Sequence, residues 1–491
     1  MTHTSSLRRL SALDGSFLRL DTPRSPMHVG WSAVFAEPVD RPRPTIGAMR
    51  DLAGGRLHEV PWCRWRLAGA PFGLSEPRWI DDADFDLAAH VVQLTDEDEA
   101  VSGEAFEDLR STVLSAPLDR SRPLWQVFLV PRLQDGRVGM IGKIHHALVD
   151  GIAALQIVRL FIDPEPALPV RPPERWRPAG RRGPTGWALD AARYAISDGA
   201  GALRTGSAAV AHPRTALTTA AREARLLGTA VTEDVLPPAP SSRLNGPIGP
   251  RRELVGYHAP RELLRSARAG GGTLNDVGLT AVSGALRTLA LRGGDPCDAP
   301  LKAMVPVSMR AIGENGAGNQ IAMVYMPLPI HLPTSTLRLQ WVKVETERLK
   351  HTDRPEATQA FVQAAGLVPP VLRTPLVRAL AAPRQFNLTV SQSPAPRGSL
   401  YLLGCELEEV YSVVPITQGH ALAIGMVRYR QELFFGCYAD PDALPEVHEL
   451  PALLEAELDD LAATPLRPRS TPANGTSRPA DARSALLQPV G

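Results

Sequence analysis

Residues 137–161 read RVGMIGKIHHALVDGIAALQIVRLF. Residues 138–144 are apolar enough for a strand inside a core. Ile152, Leu155, Ile157, Val158 and Phe161 then supply the apolar face of a helix. Between them lies His145-His146-Ala147-Leu148-Val149-Asp150-Gly151. The histidine pair therefore falls at a strand's end, where side chains enter a crevice while the backbone beneath stays rigid. Asp150 and Gly151 fall near the turn into the helix, and strand followed by helix points to an α/β fold.

Three readings of this heptapeptide compete. As metal ligands, His145, His146 and Asp150 are poorly arranged, because adjacent residues of an extended chain point to opposite faces. The H-E-x-x-H pattern is also absent. As core residues, His146 is a satisfied buried histidine and Asp150 caps the helix. As catalytic residues, one histidine is a general base, since an unperturbed pKa of about 6.5 lies near working pH. Asp150 then holds the loop through a buried ion pair with an arginine.

Outward from this segment, composition divides the chain. Residues 1–163 mix strand-like and helix-like periods and form one globular unit carrying HHALVDG. Residues 164–250 are a Pro/Arg/Ala-rich connector, residues 251–463 a second globular unit, and residues 464–491 a Pro/Ser/Arg-rich tail expected to be disordered. The expected architecture is two α/β domains joined by the long connector. Between residues 171 and 225 there are ten Arg, no Lys and four acids (Glu174, Asp190, Asp198, Glu223). Such a basic, helix-prone stretch can lie on anionic lipid headgroups, or it is a solvated linker. Residues 361–380, apolar with Arg and Pro breaks, read either as an interfacial segment or as two core-packed helices around Pro369-Pro370. Residues 422–438 read as two strands around Arg430-Gln431-Glu432.

Composition narrows the function classes. The 491 residues carry Lys+Arg 53 against Asp+Glu 52, a net charge of +1, which argues against a dedicated nucleic-acid binder. No apolar stretch approaches the roughly 18 residues of a membrane-spanning helix, and the first twenty residues lack an apolar signal core. A cytoplasmic protein is expected. Cys63, Cys297, Cys405 and Cys437 are far apart with no C-x-x-C pair, so buried reduced thiols are expected rather than a zinc or redox site.

HHALVDG matches the H-H-x-x-x-D-G motif of coenzyme A-dependent acyltransferases and peptide-synthetase condensation domains. Its surroundings resemble the bacterial wax ester synthase/diacylglycerol acyltransferase family. Leu10-Ser11-Ala12-Leu13-Asp14-Gly15-Ser16-Phe17 is similar to the family's opening L-S-x-x-D-x-x-F, and Met27-His28-Val29-Gly30 to its M-H-V-G segment. Pro123-Leu124-Trp125, with the flank Leu118-Asp119-Arg120-Ser121-Arg122, looks like its P-L-W motif. Asn275-Asp276-Val277, Pro306-Val307-Ser308-Met309-Arg310 and Gly318-Asn319-Gln320 are similar to its N-D-V, P-V-S-x-R and G-N-Q motifs. The family's S-N-x-P-G-P is here Ser391-Gln392-Ser393-Pro394-Ala395-Pro396, a departure placed in a loop that bears on acceptor preference. The resemblance runs from Leu10 to Leu461, apart from the connector.

The resemblance implies two chloramphenicol-acetyltransferase-like α/β domains with the active-site channel at their interface. It implies acyl-coenzyme A as a substrate rather than a cofactor, no metal, and diacylglycerol or a long-chain alcohol as acceptor. His146 is then the base, with His145 supporting it, and the transfer is direct. No serine nucleophile is expected, and G-x-S-x-G is absent. Asp150 is structural, with Gly151 in the motif and Arg310 as the partner of Asp150. Asn275 orients substrate or donates to the oxyanion, although Asn275-Asp276 can equally be a helix cap. Pro123, Leu124 and Trp125 support the histidine strand. Peripheral contact with a membrane or lipid droplet follows from the substrates. Two alternatives stand beside this: a lipid-binding protein of the same fold with little turnover, and a condensation-type acyltransferase using carrier-protein thioesters.

Overall fold

The computed structural model describes residues 8–68, 77–148, 156–166, 172, 176–178, 212–308, 321–366, 368, 370–394 and 398–463. The chain folds as mixed α/β around two large sheets. The first has seven strands in the order β5 (Val91–Gln93), β6 (Trp125–Val130), β7 (Val138–His145), β2 (His28–Phe35), β14 (Cys405–Val413), β13 (Tyr401–Leu402) and β8 (Ile162–Asp163). The second has six, in the order β11 (Ile321–Leu328), β10 (Leu301–Ser308), β12 (Leu388–Pro394), β15 (Leu422–Tyr429), β16 (Glu432–Ala439) and β9 (Glu253–Ala259). A small sheet joins β1 (Arg8–Arg9), β4 (Arg78–Asp81) and β3 (Trp65–Ala68).

The strand expected at residues 138–144 is β7, and all eight of its residues are buried. Two of its glycines leave room for aromatic rings. A Cβ at Gly139 would lie 2.7 Å from the Phe106 ring, and one at Gly142 would lie 2.2 Å from that of Trp31. The helix Gly103–Ser115 supplies Phe106, and Lys143 of β7 reaches that helix's end, donating to the carbonyls of Val113 and Ala116 at 2.8 Å each. A cation at a helix C-terminus satisfies carbonyls that would otherwise have no partner.

The first sheet is not made from the first globular unit alone. β14, from the second half of the chain, pairs antiparallel with β2 along Trp31↔Ser412 and Gly30↔Val413. The core beneath this sheet takes in Leu254, Val427, Phe434 and Tyr438 from the second half. Periodicity assigns a strand to neither sheet, so sequence order alone put residues 401–413 with the second unit. Polar bonds reinforce the join: Tyr438 donates to the Leu114 carbonyl (2.9 Å), and Ser25 to that of Ile416 (2.6 Å).

Of the expected connector, residues 164–166, 172, 176–178 and 212–250 are described. They include the helix Pro213–Thr229, whose Leu226 packs with Ala230 and Ala357. One of its arginines, Arg225, pairs with Asp353 at 2.7 Å. Of residues 361–380, 361–366 are the last part of the helix Arg354–Gly366 and 370–380 form the helix Pro370–Leu380. The altered Ser391-Gln392-Ser393-Pro394 is not a loop: it is the end of β12, paired in parallel with β15, while residues 395–397 lie outside the described set. All four cysteines are free; Cys63, Cys405 and Cys437 are buried and Cys297 is half-buried. Among the described residues, no helix is long and apolar enough to cross a membrane.

Candidate active site

Three segments that the sequence singled out meet at the end of β7. β2 runs beside β7 with His28 directly opposite His145, and β6 flanks the other edge with Trp125 opposite Ile144. The backbone from 145 to 148 is held at every amide. His145 N–H donates to the Leu124 carbonyl (2.9 Å), and His146 N–H to that of Met27 (2.8 Å). Ala147 N–H donates to His145 Nδ1 (3.0 Å) and Leu148 N–H to the His145 carbonyl (2.9 Å). Leu124 and Trp125 thus support the histidines. Trp125 is fully buried, with its Nε1–H donating to the Cys63 carbonyl (2.7 Å) and its ring stacked on His90.

The two histidines differ in environment. His145 is buried, its Nε2 3.5 Å from Asp21 Oδ2. His146 is half-buried and stacked on Phe17, centroids 3.8 Å apart and planes within 6°. Phe17 belongs to the helix Ala12–Leu20, which Ser11 and Asp14 start with a capping box: each backbone N–H bonds the other's side chain. The opening motif is therefore a helix start followed one turn later by the ring that covers His146. Helical spacing brings Asp14, Phe17 and Asp21 to one side.

Asp21, just past this helix, accepts from Met27 N–H (2.9 Å) through Oδ1 and from Arg120 through Oδ2 (2.6 and 3.2 Å). Burial alone would raise its carboxyl, but His145, Met27 N–H and Arg120 outweigh burial and hold it down to about 2. Burial, with the charge of Lys143, pushes His28 down to about 3 against the opposing pull of Asp21 and the Leu114 carbonyl. Burial also lowers Lys143 to about 8. His28, Asp21, Arg120 and Phe17 were not singled out as site residues from sequence. Only the motif letters M-H-V-G, D-R-S-R and D-x-x-F pointed at three of them.

Beside Phe17 opens an apolar cavity of about 140 Å³. Leu13, Phe17 and Leu20 line it from the first half, and Met304, Met323, Phe361 and Leu376 from the second. Its apolar lining suits a hydrocarbon chain. Asp276 is not at this cavity. Thr273 caps the helix Leu274–Gly293, and Asp276 completes the capping box, accepting from Thr273 N–H (2.7 Å) and from Thr346 Oγ1 (2.7 Å). Asn275 is half-buried in the same first turn, and the cap itself is made by Thr273 with Asp276. Asp150, Gly151 and Arg310 lie outside the described residues.

The wax ester synthase/diacylglycerol acyltransferase catalytic-domain model matches residues 10–278, and the C-terminal domain model of the same family matches residues 317–462. A Mycobacterium bovis protein provisionally named a diacylglycerol O-acyltransferase is 30% identical over 470 residues, covering 92% of this chain and 90% of that one. A Mycobacterium tuberculosis protein of the same provisional name is 30% identical over 92% of this chain and 99% of its own. Among solved structures, the fold is similar to the wax ester synthase/diacylglycerol acyltransferase from Marinobacter aquaeolei (TM-score 0.63, 23% identity, 92% of this chain and 98% of that one). It is also similar to the first condensation domain of the calcium-dependent antibiotic synthetase (TM-score 0.61, 18% identity, 96% and 98%). With its histidine motif at a strand end beside an apolar cavity, and both family models matched in order, this chain belongs to the wax ester synthase/diacylglycerol acyltransferase family.

Proposed function

We propose that the protein transfers an acyl group from acyl-coenzyme A to the hydroxyl of a diacylglycerol or a long-chain alcohol, with His146 as general base. The observation that carries this reading is that His146, half-buried, stacks on Phe17, which itself lines the apolar cavity. A base at such an edge meets the hydroxyl of a lipid whose chain occupies the cavity.

The steps follow from that placement. The neutral His146 imidazole takes the acceptor's hydroxyl proton as its oxygen attacks the thioester carbonyl. The tetrahedral oxyanion collapses, the C–S bond breaks, and the coenzyme A thiolate recovers the proton from the His146 imidazolium. An ester and free coenzyme A leave, and no bond to the enzyme forms. Asp150, Gly151, Arg310 and Asn275 enter this reading through their motifs.

His146→Ala should lower the rate with labelled palmitoyl-coenzyme A at least about 100-fold, the lower end of what a positioned base supplies. Its circular dichroism should match wild type. A rate within a few-fold of wild type would sink the assignment. Diacylglycerol and hexadecanol, offered in turn, identify the acceptor, and a requirement for a carrier-bound thioester would favour the condensation-type alternative. Lack of turnover with every donor would favour lipid binding.

The basic excess of residues 171–225 and the exposed Leu217, Leu236 and Leu372 support peripheral contact with a lipid surface. Each basic residue near an anionic surface is worth about 1 kcal/mol. Flotation with anionic liposomes should weaken when the arginines of 171–225 become Gln, and equal flotation at low salt would make the stretch a linker only.

A further inference from the structure

His145 is fixed from outside the motif that contains it. Its Nδ1 accepts from Ala147 N–H at 3.0 Å, which leaves the ring proton on Nε2. That nitrogen faces Asp21 Oδ2 at 3.5 Å, long for a hydrogen bond but close for attraction between N–H and a carboxylate. Asp21 is in turn anchored by Met27 N–H and by two Arg120 nitrogens, while Arg120 Nη2 also donates to the Leu18 carbonyl (3.1 Å). Met27 closes the circle, since its carbonyl accepts from His146 N–H. The end of one helix thus touches both histidines, Phe17 on the face of His146 and Asp21 on the edge of His145.

We infer that Asp21, clamped by Arg120, is a positioning residue for acyl transfer. Its carboxylate keeps His145 in the Nε2–H tautomer, so that Nδ1 retains the Ala147 N–H and the turn bearing His146 stays set against Phe17. The inference rests on His146 being the base. Without the carboxylate, the alternative tautomer places an N–H against the Ala147 N–H. Two donors then face each other, and the turn must open.

Asp21→Asn preserves size and an acceptor for Met27 N–H, and removes the charge. Its kcat should fall roughly 10–100-fold, the scale of loss when a catalytic group is displaced by about an ångström. KM for palmitoyl-coenzyme A should stay within about twofold. Asp21→Glu should recover part of the rate. In protein carrying 15N-histidine, with His145→Gln to assign the signal, His145 should show the Nε2–H tautomer in wild type and lose it in Asp21→Asn. Wild-type kcat in Asp21→Asn, or an unchanged His145 tautomer, overturns the role. If Asp21→Asn does not fold, Arg120→Gln at its half-exposed position leaves the carboxylate but unclamps it; kcat should fall in the same direction with KM held, and wild-type kcat there overturns the role. His146→Ala measured alongside separates the two ideas. An active His146→Ala overturns the base, whereas an inactive one beside a fully active Asp21→Asn overturns only the positioning role.

Discussion

At pH 5 His28 is still neutral in the fold, because burial and the charge of Lys143 push it down to about 3. In the unfolded chain it titrates near 6.5. Between those values the unfolded state binds the extra proton, so stability is lost as pH falls through that window. His420 acts in the same direction, lowered to about 4 by burial, with its ring nitrogens engaged by Thr417 Oγ1 (2.9 Å) and the Phe386 carbonyl (3.1 Å). Asp21, held at about 2, adds a loss only below its ordinary value of 3.8. The urea-unfolding free energy should therefore drop on going from pH 7 to pH 5, about 2 kcal/mol of the drop coming from His28. His28→Gln should shrink the drop by that amount, and an undiminished drop would clear His28. At this scale the sequence displayed the histidine pair and the letters around it. It could not display that His28 sits opposite His145, because cross-strand register joins residues more than a hundred positions apart.

The helix Ala12–Leu20 is short, and its start rests on the Ser11–Asp14 capping box. Ser11→Ala should cost about 1 kcal/mol of stability. Since Phe17 lies one turn on, Phe17→Leu, which keeps apolar bulk but removes the flat ring, should lower kcat several-fold with little change in unfolding midpoint. Equal kcat would make the stack on His146 incidental. The β15–β16 hairpin allows a change of opposite sign. Arg430 and Gln431 both adopt positive φ (50° and 68°), a conformation that favours glycine. Gln431→Gly should stabilise by about 1 kcal/mol while leaving the Arg430–Glu406 pair (2.6 Å) in place, as a denaturation curve would show. This hairpin and β7 were legible because apolar spacing and turn residues coincide there, whereas residues 361–380 allowed two readings and the start of the helix at Arg354 carried no signal. β12 was not. Its Ser-Gln-Ser-Pro end carries the composition of a loop, and only pairing with β15 makes it a strand.

For the whole molecule, the two sheets and their α/β character followed from the sequence pattern, but their division did not. β14 closes one edge of β2, and its Tyr411 packs edge-on against Phe434 of the second sheet (5.9 Å, 73°). Residues 1–250 expressed alone should accordingly give a species without a cooperative unfolding transition, and co-expression of residues 251–463 should restore one. A sharp transition in the isolated first part would mean that β2 tolerates an open edge. The same exchange sets a timetable for synthesis. About 260 residues separate the end of β7 from the start of β14. At roughly 5–20 residues per second, a ribosome needs about 13–50 seconds to cover that distance. Throughout that interval the nascent chain presents β2 as an unpaired, apolar sheet edge, the kind that recruits other chains. Translation speed and holding chaperones, more than final stability, should therefore govern how much of this protein reaches its native state.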